Sequence, residues 1–243
     1  LTVIVATTQA LKLHGGVDVE DIKQPNAEGL TRGLANLDKH IANMQSYGQT
    51  VVVAFNRYAN DTEDEIDIVR RHCADLHVGF AVNNAFIEGG KGAEELARLV
   101  VETIANKPSA PLTLAYDDDD KVEEKICKVA RKVYGAATVS FSAEAKKKLK
   151  MIYDMGYDRF PVCIAKTQYS FSTDPKLYGV AKNFDVNVSD IVINAGAEML
   201  VIAAKTEEDI ASLETYDDKK MFLDELGLEE SGVNRLIKKA YSL

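Results

Sequence analysis

Two short loops concentrate the residue types most able to recognise a ligand: Asn56-Arg57-Tyr58-Ala59-Asn60-Asp61-Thr62 and Asn83-Asn84-Ala85-Phe86-Ile87-Glu88-Gly89-Gly90-Lys91-Gly92. Each follows a short apolar run with β character, Thr50–Phe55 or Val78–Val82, and each precedes a helical pattern. In an open α/β sheet both loops then fall at the carboxyl edge, where strand ends and helix N-termini converge on a crevice. Each carries one aromatic residue, Tyr58 or Phe86, where turns ordinarily use polar side chains. Two aromatics on neighbouring crevice loops could clamp a planar heterocycle, each adding about 0.5–1.5 kcal/mol beyond simple area burial. Spacing alone leaves a second reading open, and leans towards it: both rings cap the hydrophobic core.

Other clusters are weaker. The glycine-rich part of the second loop could cradle an anion at the following helix N-terminus. It does not match the phosphate-loop pattern of four spacer residues before Gly-Lys-Ser/Thr, which occurs nowhere in these residues. Lys166-Thr167-Gln168-Tyr169-Ser170-Phe171-Ser172, with Asp174-Pro175-Lys176 behind it, gathers hydroxyls, an amide and an ammonium after the apolar run Pro161–Ala165. Such a set suits a polar ligand, with Lys166 to Ser170 as its centre, or a loop that satisfies itself. Asp117–Asp120 could draw a cation, yet carboxylates at a helix start are stabilised by the helix dipole in any case. Lys146, Lys147, Lys148 and Lys150 read as a solvated helix face.

The elements that must position these loops follow from periodicity. Leu1–Thr7 is an apolar β run, and Leu37, Ile41 and Met44 recur at helical spacing up to Gly48. Thr62 can cap a helix to about Asp75, with Glu65 closing the capping box and Ile66, Val69 and Cys73 inward. Leu96, Val100 and Ile104 mark the next helix. Strand and helix in strict alternation predict a mostly parallel sheet with flanking helices. Lys107-Pro108-Ser109-Ala110-Pro111 interrupts the pattern. Beyond it the expected elements are a strand over Pro111–Tyr116, a helix over Lys121–Tyr134, a Ser142-capped helix with Leu149, Ile152 and Tyr153, a strand over Pro161–Ala165, and an alternating run at Phe184, Val186 and Val188. After Lys205 the chain turns acidic and helical.

Bulk properties narrow the class. With 243 residues, 46% apolar and 28% charged, the chain has the makings of an ordinary globular protein. A net charge of −9 argues against nucleic acid or a membrane surface as partner. Cys73, Cys127 and Cys163 are widely spaced among apolar residues, which predicts reduced, buried thiols and a cytoplasmic location. His72 and His77 lack metal-ligand spacing, so no metal site is expected. A buried-strand pattern at residue 1 without a methionine predicts that an N-terminal portion lies upstream, and the C-terminal end also reads as cut.

Asn36-Leu37-Asp38-Lys39-His40-Ile41, Val51–Asp61, Leu11-Lys12-Leu13-His14-Gly15-Gly16 and Pro161–Asp174 together resemble formate–tetrahydrofolate ligase, from about Thr2 to about Ile202. That family makes 10-formyltetrahydrofolate from formate, ATP with Mg, and tetrahydrofolate, through formyl phosphate. The resemblance implies small-molecule partners, formate and tetrahydrofolate, and a tetrameric homo-oligomer. It places Tyr58 and Phe86 where the family stacks aromatics on the pterin, with Val82 lining the same pocket. Phe at the first position and Trp at the second are commoner in the family; both replacements here stay aromatic. The implied folate site reverses the reading of those two rings as core caps.

Two departures accompany the resemblance. The family's phosphate-binding glycine loop precedes the stretch present here, so these residues alone are expected to lack ligase activity: nothing in them preorganises the γ-phosphate. The second is the tail, about Gly196 to Leu243, which resembles OBG-like (YchF-type) ATPases at Ala203-Ala204-Lys205 and Phe222–Ser231. The expected organisation is an α/β folate-binding region at 1–107, resembling a P-loop NTPase half without its P-loop, a smaller α/β domain at 108–202, and a helical tail of different origin at 203–243. A non-catalytic nucleotide-sensing or interaction module, with the tail as its functional part, is the rival. It requires Tyr58 and Phe86 to be packed in the core.

Overall fold

The computed structural model describes residues 1–165, 171–172 and 177–193. Leu1–Ile191 form one compact unit and Val192–Leu243 a second. The expectations for Lys166–Ser170 and for the helical tail lie outside the described residues.

The first sheet has three parallel strands in the order β1-β2-β3: β1 (Thr2–Ala6), β2 (Val51–Asn56) and β3 (Gly79–Asn83). Ile4 pairs with Val53, and Val53 with Phe80. Val51 to Phe55 are all buried, as the continuous apolar run requires of a central strand with both faces covered. One face packs Ile4, Val53, Phe55 and Phe80 against Leu37 and Ile41 of α2 (Ala27–Ser46) and against Ile66, Val69 and Cys73 of α3 (Glu63–Asp75). On the other, Leu99 of α5 (Glu94–Asn106) lies over Gly79, while Val3 and Val5 at the β1 edge are exposed. Of the three residues expected to form the inward stripe of α5, Leu96 and Val100 are half-buried and Ile104 is exposed.

Periodicity missed α1 (Thr8–His14) and the first eight residues of α2. For α2 the reason is glycine. Asn26 caps α2 by accepting from the Gly29 N–H at 2.8 Å, and Gly29 and Gly33 then occupy its first turns, where propensity is poor. Close approach demands them: a Cβ on Gly33 would sit 1.8 Å from the Leu11 carbonyl oxygen, and one on Gly15 would sit 1.7 Å from that of Gly29. Helices α1 and α2 thus meet backbone to backbone.

Thr62 caps α3 as expected, its Oγ1 accepting from the Glu65 N–H at 3.3 Å. Glu65 does not close the box. Its side chain turns inward, where Oε1 meets Lys12 Nζ at 2.7 Å and accepts from the Asn26 N–H at 2.8 Å. Both side chains are 2% exposed. Lys12 also donates to the Gln24 carbonyl at 2.8 Å, whereas Glu65 Oε2 is buried with no hydrogen-bond partner among the described residues. A buried charge needs its partner more than a cap needs its carboxylate.

Further on, α6 (Val122–Val129) runs into a π turn over Ala130–Tyr134, which Gly135 ends at φ 84°. β4 (Thr138–Phe141) pairs in parallel with β5 (Asp185–Val188), where Phe184 and Val186 are buried as the alternation predicts. Ser142 caps α7 (Ala143–Asp154), accepting from the Ala145 N–H at 3.0 Å, and Lys146, Lys147 and Lys150 of that helix are exposed. Asp117 and Asp120 are held by Lys128 at 3.2 and 2.5 Å. Two expected strands are irregular instead. In 111–116 the Thr113 N–H goes to the Tyr47 carbonyl, and in 161–165 the Val162 N–H goes to the Tyr116 hydroxyl, so neither enters a ladder. The thiols differ from expectation too. Cys73 is buried, with burial pushing its pKa up to about 11, but Cys127 is only half-buried and Cys163 is exposed.

Removing one member of the Lys12–Glu65 pair strands the other charge. Lys12→Met is expected to cost about 3–5 kcal/mol in urea unfolding, and Lys12→Met with Glu65→Leu is expected to recover much of that loss. Equal stability of the single variant and the unaltered chain would show that the pair contributes nothing.

Candidate functional site

The ends of β2 and β3 are stitched together before their loops part. Asn56 and Asn83 are register partners, and Asn83 Nδ2 donates to Asn56 Oδ1 at 2.8 Å. The Arg57 N–H donates to the Asn83 carbonyl at 3.2 Å, and Asn83 Oδ1 accepts from the Ala85 N–H at 3.2 Å. The two loops therefore leave one point of the carboxyl edge of the sheet, the edge that the alternation of strand and helix predicted for both.

Between β2 and α3 the chain folds into a tight turn. The Asp61 N–H donates to the Tyr58 carbonyl at 3.1 Å, and Asp61 Oδ2 accepts from the Tyr58 N–H at 2.8 Å. Asp61 Oδ1 accepts from the hydroxyl of Thr8, a fully buried residue at the start of α1. Arg57 pairs with Glu63 at 2.7 Å across the same turn. After β3, the short helix α4 (Ala85–Glu88) carries Phe86, and a 3-10 turn over Gly89–Ala93 follows. The Asn84 N–H donates to the Gly92 carbonyl at 3.0 Å, closing the glycine loop on itself. A Cβ on Gly92 would fall 2.5 Å from the Asn84 carbonyl carbon, which explains that glycine without invoking an anion.

Neither ring caps the core. Tyr58 is 45% exposed and Phe86 97% exposed, while Val82 of β3 is half-buried against the core. Leaving a phenylalanine ring in water forgoes roughly 1.5–3 kcal/mol of burial, so an exposed ring at a crevice marks a surface suited to being covered. The residues sequence reasoning overlooked here are Thr8 and Asp61. An Asp-Thr pair three residues past an aromatic does carry the signature of a side-chain-closed turn, but a partner 53 positions away is invisible to local patterns.

A second cluster flanks the polar stretch 166–170, which itself lies outside the described residues. The Phe171 ring packs on His40 of α2 at 4.7 Å, Tyr178 meets His14 of α1 edge-on at 6.3 Å, and His14 Nδ1 accepts from the Gly179 N–H at 3.2 Å. Burial lowers the pKa of both histidines, and for His40 the charges of His14 and Lys39 add to the effect. Elsewhere, a cleft of about 400 Å³ opens beside α2, lined by Lys39, Asn43, Tyr47, Thr113 and Lys132. Three of its polar side chains are already engaged: Lys39 and Asn43 donate to the carbonyls of Lys132 and Val133, and Lys132 donates to that of Ala115.

Comparison with known proteins agrees with the motifs. The family model for formate–tetrahydrofolate ligase matches residues 1–217. The chain is 62% identical over 204 residues to the formate–tetrahydrofolate ligase of Phocaeicola vulgatus, covering 84% of this chain and 37% of that protein. It is 59% identical over 204 residues to that of Bacteroides fragilis, with the same coverage, and 60% identical over 202 residues to that of Porphyromonas gingivalis, covering 83% and 36%. The chain thus spans little more than a third of the length of these curated relatives. The family match extends through residue 217, past the junction near 196–202 at which an OBG-like tail was expected to begin.

The two histidines generate a pH prediction. Because their folded pKa values lie below the ordinary value of about 6.5, the folded chain binds fewer protons than the unfolded chain below that pH. Their contribution is therefore present above about pH 6.5 and is lost as pH falls through the lowered values. The urea midpoint should drop between pH 7.5 and 5, and His40→Gln should shallow that drop. A drop of the same steepness in His40→Gln would assign the effect to other groups.

Proposed function

This chain belongs to the formate–tetrahydrofolate ligase family, and from that premise we propose that it holds the folate side of the ligase. The pterin ring of tetrahydrofolate stacks between Tyr58 and Phe86 and rests on Val82. Formate and ATP are the other substrates of the complete enzyme, which forms 10-formyltetrahydrofolate. The single observation that carries this reading is the exposure of both aromatics on adjacent loops at one carboxyl edge. A core role would have buried them.

The region that binds folate is 1–107, which holds all three strands of the first sheet and both loops. The stretch 108–202 forms the smaller α/β region. ATP phosphates, with their Mg, are gripped outside these 243 residues, because the phosphate-loop pattern is missing from them and the glycine loop is closed on itself. Bound ATP supplies a transferable phosphoryl group that activates formate. This chain's own share is to hold and orient the acceptor pterin. By itself it binds without turnover.

Tetrahydrofolate binding to the chain, followed by equilibrium dialysis, tests the pocket. Tyr58→Ala and Phe86→Ala should each weaken it about tenfold, the order expected for loss of a stacked ring and its burial, while Tyr58→Phe should leave it within about twofold. Unchanged binding in Phe86→Ala would remove that residue from the pocket. No formate-dependent ADP is expected from the chain alone, and its detection would refute the claim that phosphate binding lies elsewhere.

A further inference from the structure

Asp61 uses both of its carboxylate oxygens, and each reaches a different part of the fold. Oδ2 accepts from the Tyr58 backbone N–H at 2.8 Å, and Oδ1 accepts from the hydroxyl of Thr8. The Asp61 N–H returns the bond to the Tyr58 carbonyl at 3.1 Å. Thr8 is fully buried in the first turn of α1, directly after β1. One side chain therefore ties the backbone of an exposed loop residue to a rigid neighbour 53 positions away. The Tyr58 ring itself, 45% exposed, projects from this tethered backbone.

We propose that Asp61 is the positioning residue for Tyr58, with Thr8 as its anchor, so that the aromatic face is set before ligand arrives. The proposal rests on the pterin-clamp reading above. A clamp residue on a free loop must be ordered at the moment of binding, which subtracts from affinity; a loop already closed by its own turn avoids much of that loss. Asp61 acts through Tyr58 and touches no substrate. Its chemistry also predicts which replacement succeeds. In Asp61→Asn the amide oxygen can accept from the Tyr58 N–H while the amide NH2 faces Thr8, whose hydroxyl can rotate from donor to acceptor. The turn then survives without the charge. Asp61→Ala removes both contacts, and Thr8→Val removes one while keeping the shape.

The test is tetrahydrofolate affinity of the full 243-residue chain, measured with these variants alone and combined with Tyr58→Ala. Asp61→Ala should weaken binding about tenfold, Asp61→Asn by less than about twofold, and Thr8→Val by an intermediate factor. In the Tyr58→Ala background, Asp61→Ala should add less than about twofold, because the residue it positions is already gone. A full tenfold loss in that background, or equal losses for Asn and Ala at position 61, overturns the proposal. Failure of the clamp reading is distinguishable: it appears as no effect of Tyr58→Ala itself, or as no binding by the unaltered chain, and either removes the functional half of the inference. Amide hydrogen exchange then decides the anchoring half without any ligand. Faster exchange of the Tyr58 N–H in Asp61→Ala and Thr8→Val supports it, and an unchanged rate in both refutes it. Thr8→Val preserves side-chain shape and serves if Asp61→Ala does not fold.

Discussion

The Lys12–Glu65 ion pair ties together three of the helices packed around the first sheet. Lys12 lies on α1, Glu65 on α3, and their shared oxygen also receives the N–H of Asn26, the cap of α2. A charged pair this deep is poor as a source of stability, because desolvation consumes most of the attraction. It is effective at dictating geometry, since no other arrangement leaves both charges matched. The consequence reaches the site directly. Thr8 precedes Lys12 by one helical turn, and Asp61 precedes Glu65 by the same interval, so the buried pair and the Thr8–Asp61 contact brace the same two elements in parallel.

That bracing explains how a sheet edge can hold an aromatic ring in water without letting the loop wander. The strand ends are stitched by Asn56 and Asn83, the first loop is closed by Asp61, and the second is closed by the Asn84–Gly92 backbone bond. The backbone around Tyr58 and Phe86 is thus fixed by hydrogen bonds, while the rings are left uncovered. Rigid backbone with exposed apolar rings suits recognition of a flat, partly polar heterocycle. The glycines of the second loop serve turn geometry, and the family relationship gives the proposed clamp a chemical meaning that geometry alone would not.

Much of this architecture was legible in the residues themselves. β2 announces itself by five consecutive buried apolar positions, and α3 by Thr62 with Ile66, Val69 and Cys73 one turn apart. Where reading failed, a non-local demand had overridden a local rule. Gly29 and Gly33 look like helix breakers until the Val17 side chain is seen pressed against the first and the Leu11 carbonyl against the second. Glu65 looks like a capping-box residue until Lys12 claims it. Pro111–Tyr116 has the composition of a strand, but its backbone finds the Tyr47 turn before it finds a ladder. Positions of Tyr58 and Phe86 at the carboxyl edge followed from sequence; their exposure did not, because spacing cannot tell a core cap from a ligand clamp.

The role of the two rings is decided by where the pterin lies. A crystal structure of the chain with tetrahydrofolate bound would locate it. The pterin ring is expected between Tyr58 and Phe86, within stacking distance of both and resting on Val82, with the Asp61–Tyr58 turn unchanged from the free chain. A pterin bound elsewhere, or one contacting neither aromatic ring, would contradict that placement.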